Sequence, residues 1–83
     1  MKLLYFAWVR ERIGLTEEEV DLPEDVATVG DLVAWLQGRG PEYEFALAEP
    51  TAIRVAVDHV HSGPDVAITG AREVALFPPM TGG

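Results

Sequence analysis

The chain begins with an unbroken apolar run, Lys2–Val9 (KLLYFAWV). A run of this length and composition predicts a strand that is packed on both faces. Alternation along a strand would place Leu4, Phe6 and Trp8 on one face and the residues between them on the other. Residues Glu17–Leu22 alternate more weakly and are expected to return as the hairpin partner of this strand.

A one-sided helical pattern lies in the middle of the chain. Thr28 is a suitable N-cap, and Asp31 three residues later approximates a capping box. The apolar positions that follow at helical spacing are Val29, Leu32, Val33 and Leu36. They predict one helix laid against a sheet and ending at Gly38. The next segment, Pro41–Ala48, is expected to form a short helix or a packed loop.

Further apolar stretches in the second half favour strands. The alternating apolar positions are Ile53, Val55 and Val57, then Val66 and Ile68, and finally Val74 and Leu76. Val60 either continues the first of these strands or begins a short hairpin. In the last strand Ala75 and Phe77 would face outward. The order of elements predicts an α+β fold: a mixed sheet of four to five strands, one main helix across it and a short second helix.

The C-terminal segment has a distinct composition. We divide the chain into a domain at 1–77 and an extended tail at 78–83, which consists of Pro78, Pro79, Met80, Thr81, Gly82 and Gly83. The two prolines favour an extended conformation, so the six residues can reach about 20 Å beyond the strand. Glycines lack side chains, and the final carboxylate can therefore enter a channel too narrow for a Cβ. The alternative is an ordinary frayed terminus.

Composition excludes several classes of function. The 83 residues suffice for one small domain, and six basic against fourteen acidic residues give a net charge of −8. This charge argues against nucleic acids and anionic membrane surfaces as partners. The absence of cysteine excludes disulfides, thiolate catalysis and zinc–thiolate sites. The apolar stretch Leu3–Val9 is too short to span a bilayer, and we expect a cytoplasmic protein.

The polar residues offer no convincing catalytic constellation. His59 and His61 would lie on one side of a strand, but no third metal ligand is fixed by spacing, and two exposed histidines at a strand end are the simpler interpretation. The acidic run Glu17–Glu19 is typical of a solvated edge. No phosphate-binding loop motif occurs in the chain. The sequence therefore predicts a protein without catalytic residues, bound metal or bound cofactor of its own.

The outward aromatic residues favour a partner surface instead. Phe6, Trp8, Phe77 and Met80 would form an exposed apolar patch near the base of the tail, and such patches usually mark interaction sites. The alternative is that a loop covers Phe6 and Trp8.

Three segments of the chain resemble the small, sulfur-carrying subunit of molybdopterin synthase. They are Lys2–Glu11, the helix that begins after Thr28, and Glu73–Gly83 with its Phe-Pro-Pro-x-x-Gly-Gly ending. The similarity runs along the whole chain. It implies a ubiquitin-like β-grasp fold, in keeping with the order of elements above.

The resemblance also implies a mechanism. In that family a partner enzyme uses ATP and Mg²⁺ to adenylate the terminal glycine, here Gly83. Sulfur from a sulfurtransferase or persulfide donor then displaces AMP and leaves a C-terminal thiocarboxylate. The charged carrier docks into the large synthase subunit, in an expected heterotetramer, and donates sulfur to cyclic pyranopterin monophosphate to build the molybdopterin dithiolene.

Residue roles follow from the same resemblance. Gly83 would carry the sulfur, and the tail from Pro78 to Gly82 would thread into the partner. Phe6 and Phe77 correspond to the partner-facing aromatic residues, whereas His61 stands where a large apolar contact residue is expected.

Three alternatives remain open at this point. A related β-grasp carrier could deliver sulfur to thiamin thiazole or to cysteine, and the Phe-Pro-Pro before the glycines is what argues against it. The chain could be an interaction module with an inert terminus. It could also be attached to target lysines in the manner of ubiquitin.

Overall fold

A computed structural model describes residues 1–79 of the chain. The elements are β1 (Lys2–Tyr5), α1 (Ala7–Ile13), β2 (Glu17–Glu19), α2 (Val29–Gln37), α3 (Pro41–Ala46), a 3₁₀ turn (Pro50–Ala52), β3 (Arg54–Val57), β4 (Val60–Ser62) and β5 (Glu73–Phe77). Within residues 1–79, no helix has the length and apolar character needed to cross a membrane.

The five strands form one mixed sheet with the order β2-β1-β5-β3-β4. The first and last strands pair in parallel, with Leu3 opposite Val74 and Tyr5 opposite Leu76. The other three pairings are antiparallel. The last strand is therefore the centre of the sheet, with ladder hydrogen bonds on both sides. The expected mixed sheet with one main helix and a short second helix is confirmed, and a third helix, α1, is added to it.

The core lies on one face of this sheet. Leu3, Tyr5, Val74 and Leu76 are fully buried there. The predicted stripe of α2 packs onto them, since Val29, Leu32, Val33 and Leu36 are all buried. Thr28 and Asp31 form the expected reciprocal capping box: the Asp31 N–H donates to Thr28 Oγ1 at 3.2 Å, and the Asp31 carboxylate accepts the Thr28 N–H at 3.2 Å.

The prediction of a strand over Lys2–Val9 is wrong beyond Tyr5. Ala7 adopts a left-handed conformation with φ of 51°, which turns the chain out of the sheet and into α1. The Phe6 carbonyl then accepts the N–H of Val9 at 3.1 Å. Val9 and Ile13, four residues apart, are buried on one side of this helix, as helical periodicity requires.

Two other sequence predictions need adjustment. The strand expected at Val66 and Ile68 is a single bridge between Thr28 and Ala67, because this segment pairs with the entry to α2 rather than with the sheet. The second strand extends only over Glu17–Glu19, and α1 separates it from β1. Of the two alternatives for Val60, the structure shows a hairpin, since Val60 begins β4, which pairs antiparallel with β3.

That hairpin turns at Asp58 and His59, which both have positive φ, at 47° and 71°. Asp58 stabilises the turn, since its Oδ1 accepts the N–H groups of Arg72 at 2.8 Å and Glu73 at 3.0 Å. These hydrogen bonds lower the pKa of the Asp58 carboxyl. They also tie the β3–β4 hairpin to the first residue of β5.

A polar network closes the β2 end of the core. The hydroxyls of Tyr5 and Tyr43 both donate to Glu18 Oε2 at 2.7 Å, and Arg39 Nη1 donates to Glu18 Oε1 at 2.8 Å. Partial burial acts to raise the pKa of Glu18, but the hydrogen bonds from Arg39, Tyr5 and Tyr43 outweigh it, and the pKa is lowered. Desolvation and the same carboxylate raise the pKa of Tyr43 to about 12. Glu18 is therefore held ionised between neutral phenols and a guanidinium.

Replacing Glu18 tests this network. Because the pKa of Glu18 is lower in the folded state than in the unfolded chain, its stabilising effect is full above the unfolded value and is lost as pH falls through the folded one. We expect Glu18→Gln to lower the free energy of unfolding by about 1–3 kcal/mol at neutral pH. In urea titrations this difference from wild type should shrink on acidification. The control is Glu24→Gln, an exposed carboxylate; an equal loss in both variants would contradict the assignment.

Candidate functional site

The face of the sheet opposite the core is not covered by any element of residues 1–79. We call it the open face. Its outward positions on the strands are Lys2, Leu4, Glu17, Glu19, Arg54, Ala56, His61, Glu73, Ala75 and Phe77, and each of them is at least partly exposed. A half-covered antiparallel or mixed sheet commonly shows this in–out alternation, so the face follows directly from the strand pattern.

Strand register divides the open face into regions of different chemistry. One end is charged, with Lys2 between Glu19 and Glu73. The centre is small and apolar, because Ala75 is opposite both Leu4 and Ala56. The other end, where the C-terminal segment leaves the sheet, has Phe77 opposite Arg54.

Phe6 extends this last region. It has an extended backbone one position beyond the Tyr5–Leu76 pair, and its N–H donates to the Leu76 carbonyl at 3.1 Å. Since Tyr5 points into the core, Phe6 belongs to the open side, beside Phe77. Its side chain is 46% exposed. Strand register thus places two of the three aromatic residues predicted for the partner surface at the same end of the open face, and no loop within residues 1–79 buries Phe6.

His61 lies at the same end of the open face. Its ring centroid is 6.1 Å from that of Phe77, and the two rings are tilted by 36°. Arg54, His61, Phe77 and Pro79 line one shallow depression, which we call the tail-root depression. Sequence reasoning missed Arg54, because its cross-strand pairing with Phe77 joins residues far apart in the chain.

Trp8 lies elsewhere, which corrects its placement on the face of Leu4 and Phe6. It is on α1, and it packs against the core. The Arg12 guanidinium carbon lies 4.4 Å from the centroid of the Trp8 ring and 4.6 Å from that of the Phe45 ring. The helix that replaces the predicted strand carries Trp8 away from Phe77, so a role for Trp8 in partner binding stays a prediction without its original geometric basis.

The C-terminal segment begins at the centre of the sheet. Phe77 ends β5, and Pro78 and Pro79 follow outside regular structure and are partly exposed. The predicted roles of Met80, Thr81, Gly82 and Gly83 concern residues that lie outside the described part of the chain. The anchor of the tail is nevertheless defined, because β5 is paired on both sides.

The histidines do not share one side of a strand. His59 is in the turn, with Nε2 3.8 Å from Glu73 Oε1, while His61 is on β4. Both side chains are exposed. Among residues 1–79, no three His, Asp or Glu side chains are arranged to hold a metal ion.

Comparison with known proteins identifies the family. A model of the ThiS family matches residues 3–83. This chain belongs to the ThiS family. Similar proteins of known structure have the ubiquitin-like β-grasp arrangement, and the fold implied by the sequence resemblance is thereby confirmed.

Three relatives are similar over nearly their full length. The molybdopterin synthase sulfur carrier subunit of Escherichia coli (strain K12) is 36% identical over 83 residues, which is 100% of this chain and 99% of the relative. A putative molybdopterin converting factor subunit 1 from Pyrococcus furiosus superposes with a TM-score of 0.76 at 30% identity, covering 95% of each chain. SAMP1 from Haloferax volcanii gives 0.74 at 30% identity, covering 100% of this chain and 98% of its own.

The backbone of Ala7 provides a test of how Phe6 is positioned. Ala7 is exposed and left-handed, a conformation that a β-branched residue tolerates poorly. We expect Ala7→Val to lower the free energy of unfolding by about 1–3 kcal/mol in urea titrations. Glu11→Val places the same side chain at an exposed position of α1 without positive φ, and it should cost less. Equal losses would show that the Ala7 conformation is not what constrains the turn.

Proposed function

We propose that this chain is the sulfur carrier subunit of a molybdopterin synthase, and that its reacting group is the carboxylate of Gly83. The observation that carries the proposal is the position of the tail. It leaves from the central strand, beside the exposed Phe6 and the half-buried Phe77, on an otherwise uncovered sheet face. The family and the carrier subunits among its relatives support this assignment.

The chemistry follows from the terminal group. A C-terminal carboxylate is ionised near neutral pH, and an anion is a poor acyl electrophile. Adenylation by a partner enzyme would solve this: a Gly83 oxygen attacks the α-phosphorus of ATP, held with Mg²⁺ on that enzyme, and pyrophosphate leaves. A sulfur nucleophile then attacks the acyl carbon and AMP leaves. Hydrosulfide would give the thiocarboxylate directly, whereas a donor persulfide would give an acyl disulfide, from which a second thiol, forming a disulfide with the donor, releases the thiocarboxylate. This chain needs no cofactor of its own for either step.

The large synthase subunit would be the docking partner. Phe6 and Phe77 would anchor it at the base of the tail, while Pro78 and Pro79 limit the directions in which the tail can point. Residues Met80–Gly82 would pass into the partner's site and present the thiocarboxylate to cyclic pyranopterin monophosphate. We place this assembly in the cytoplasm, as a heterotetramer of two small and two large subunits.

The C-terminal glycine is the first target for a test. The chain purified from its native host should contain a fraction heavier by the difference between one sulfur and one oxygen atom, localised to Gly83 by fragment mass spectrometry. A chain lacking Gly83, or extended by one residue, should fold normally but fail to support molybdopterin formation with the large subunit, a sulfide source and the pterin precursor. Full activity of either variant would leave an interaction module with an inert terminus as the better assignment.

Two other outcomes would favour a different function. Activity with a thiazole or cysteine precursor instead of the pterin would favour a related carrier, and conjugates of higher mass on blots would favour protein tagging.

The two aromatic anchors are a second target. Full burial of a phenylalanine contributes about 1.5–3 kcal/mol, and each 1.4 kcal/mol is a factor of ten in affinity. We therefore expect Phe6→Ala and Phe77→Ala each to weaken binding of the large subunit by about ten- to a hundredfold, measured by calorimetry. Phe45→Ala is the matched control, because Phe45 is 60% exposed but lies on α3, away from the open face. Equal weakening in all three variants would contradict the proposed docking surface.

A further inference from the structure

The tail-root depression is lined by basic side chains, although the chain as a whole is acidic. The chain has fourteen acidic residues and six lysines and arginines. Acidic residues on the open face are Glu17, Glu19 and Glu73, and register places them toward the β2 edge or the charged end of the face. The depression at the opposite end is lined by an arginine and a histidine, with no carboxylate among its lining residues.

The cation in this depression has no acidic partner within residues 1–79. Two of the other five lysines and arginines in that range have one: Lys2 Nζ is 3.4 Å from Glu17, and Arg39 Nη1 is 2.8 Å from Glu18. Arg54 instead uses Nη1 to donate to the Thr51 carbonyl at 2.9 Å. This bond fixes the guanidinium at the start of β3, and it leaves the full positive charge uncompensated by any described carboxylate.

We propose that the tail-root depression receives a carboxylate side chain from the protein that docks on the open face. The proposal rests on the proposed function, because it assumes that this face binds the large synthase subunit. The guanidinium of Arg54 would be the main donor, and the ring of His61 would donate a second hydrogen bond. The ring of Phe77 and Pro79 would exclude water from one side, which strengthens the interaction.

Charge complementarity identifies the occupant as a single protein carboxylate. One permanent cation and one imidazole match one carboxylate, whose planar oxygens suit a guanidinium. A nucleic acid would need several phosphates neutralised together, and the net charge of −8 would repel it. The depression is also continuous with the proposed anchor residue Phe77, so a partner docked there would have to cover it.

Such a pair would select among partners. A large subunit with a carboxylate at this point gains a charge-assisted hydrogen bond beside the tail. A subunit with an apolar residue there would cover Arg54 and leave its charge desolvated and unpaired, which is unfavourable. Arg54 and His61 would therefore help this carrier discriminate its own synthase subunit from those of other sulfur-accepting pathways.

The test compares binding of the full-length chain to the large synthase subunit at low and moderate salt. We expect Arg54→Gln to weaken binding by about ten- to a hundredfold and to reduce the dependence of affinity on salt. His61→Gln should have a smaller effect in the same direction, and Arg54→Lys should retain part of the affinity. Arg72→Gln is the matched control, because Arg72 is an exposed arginine at the opposite end of β5 and should bind like wild type.

Each other outcome is informative. Unchanged affinity of Arg54→Gln, together with weakened binding of Phe77→Ala, would overturn the carboxylate proposal and leave the docking surface intact. If Phe77→Ala also bound normally, the proposed function of this face would fail as well. Tighter binding of Arg54→Gln would also overturn the proposal, since it would indicate that the partner covers Arg54 without offering it a carboxylate. Urea titrations of each variant would exclude loss of folding as the cause.

Discussion

The parallel pairing of the first and last strands is the constraint on which the rest of the structure depends. It joins residues about seventy positions apart and places β5 between β1 and β3. Leu3, Tyr5, Val74 and Leu76 are fully buried as a result. Because parallel partners cannot be joined by a tight turn, the whole of the intervening chain serves as the crossover. The C-terminal segment therefore starts from the part of the sheet that is hardest to unfold locally.

The same pairing determines which side chains lie beside the start of the tail. Alternation along β5 sends Val74 and Leu76 into the core, and it sends Phe77 to the opposite face. Register then brings Arg54 beside Phe77 from one neighbouring strand and Phe6 from the other. An aromatic and cationic surface at the base of the tail is thus a consequence of three strands meeting, and no separate binding loop is needed to build it.

Features that depend on local sequence patterns could be predicted, whereas features that depend on contacts between distant residues could not. Local patterns were sufficient for the capped helix after Thr28 and the outward position of Phe77, but they left open whether Val60 continues β3 or begins a hairpin. The first helix was missed because the apolar run continues through Trp8 and Val9, although the spacing of Val9 and Ile13 before a left-handed Gly14 was a usable signal. Arg54 and the Glu18 network could not be predicted, because each depends on contacts between residues distant in the chain.

An uncovered sheet face limits the stability of a domain of this size. A small chain buries a limited share of its surface, and every apolar side chain left on the open face is stabilisation that the monomer does not obtain. If selection acted on stability alone, a helix covering Leu4, Phe6 and Phe77 would bury their apolar surface and make the monomer more stable. Their position on the open face is better explained by burial in a complex, where the same apolar area contributes to binding. The folded core then holds that surface and the start of the tail in fixed positions relative to each other.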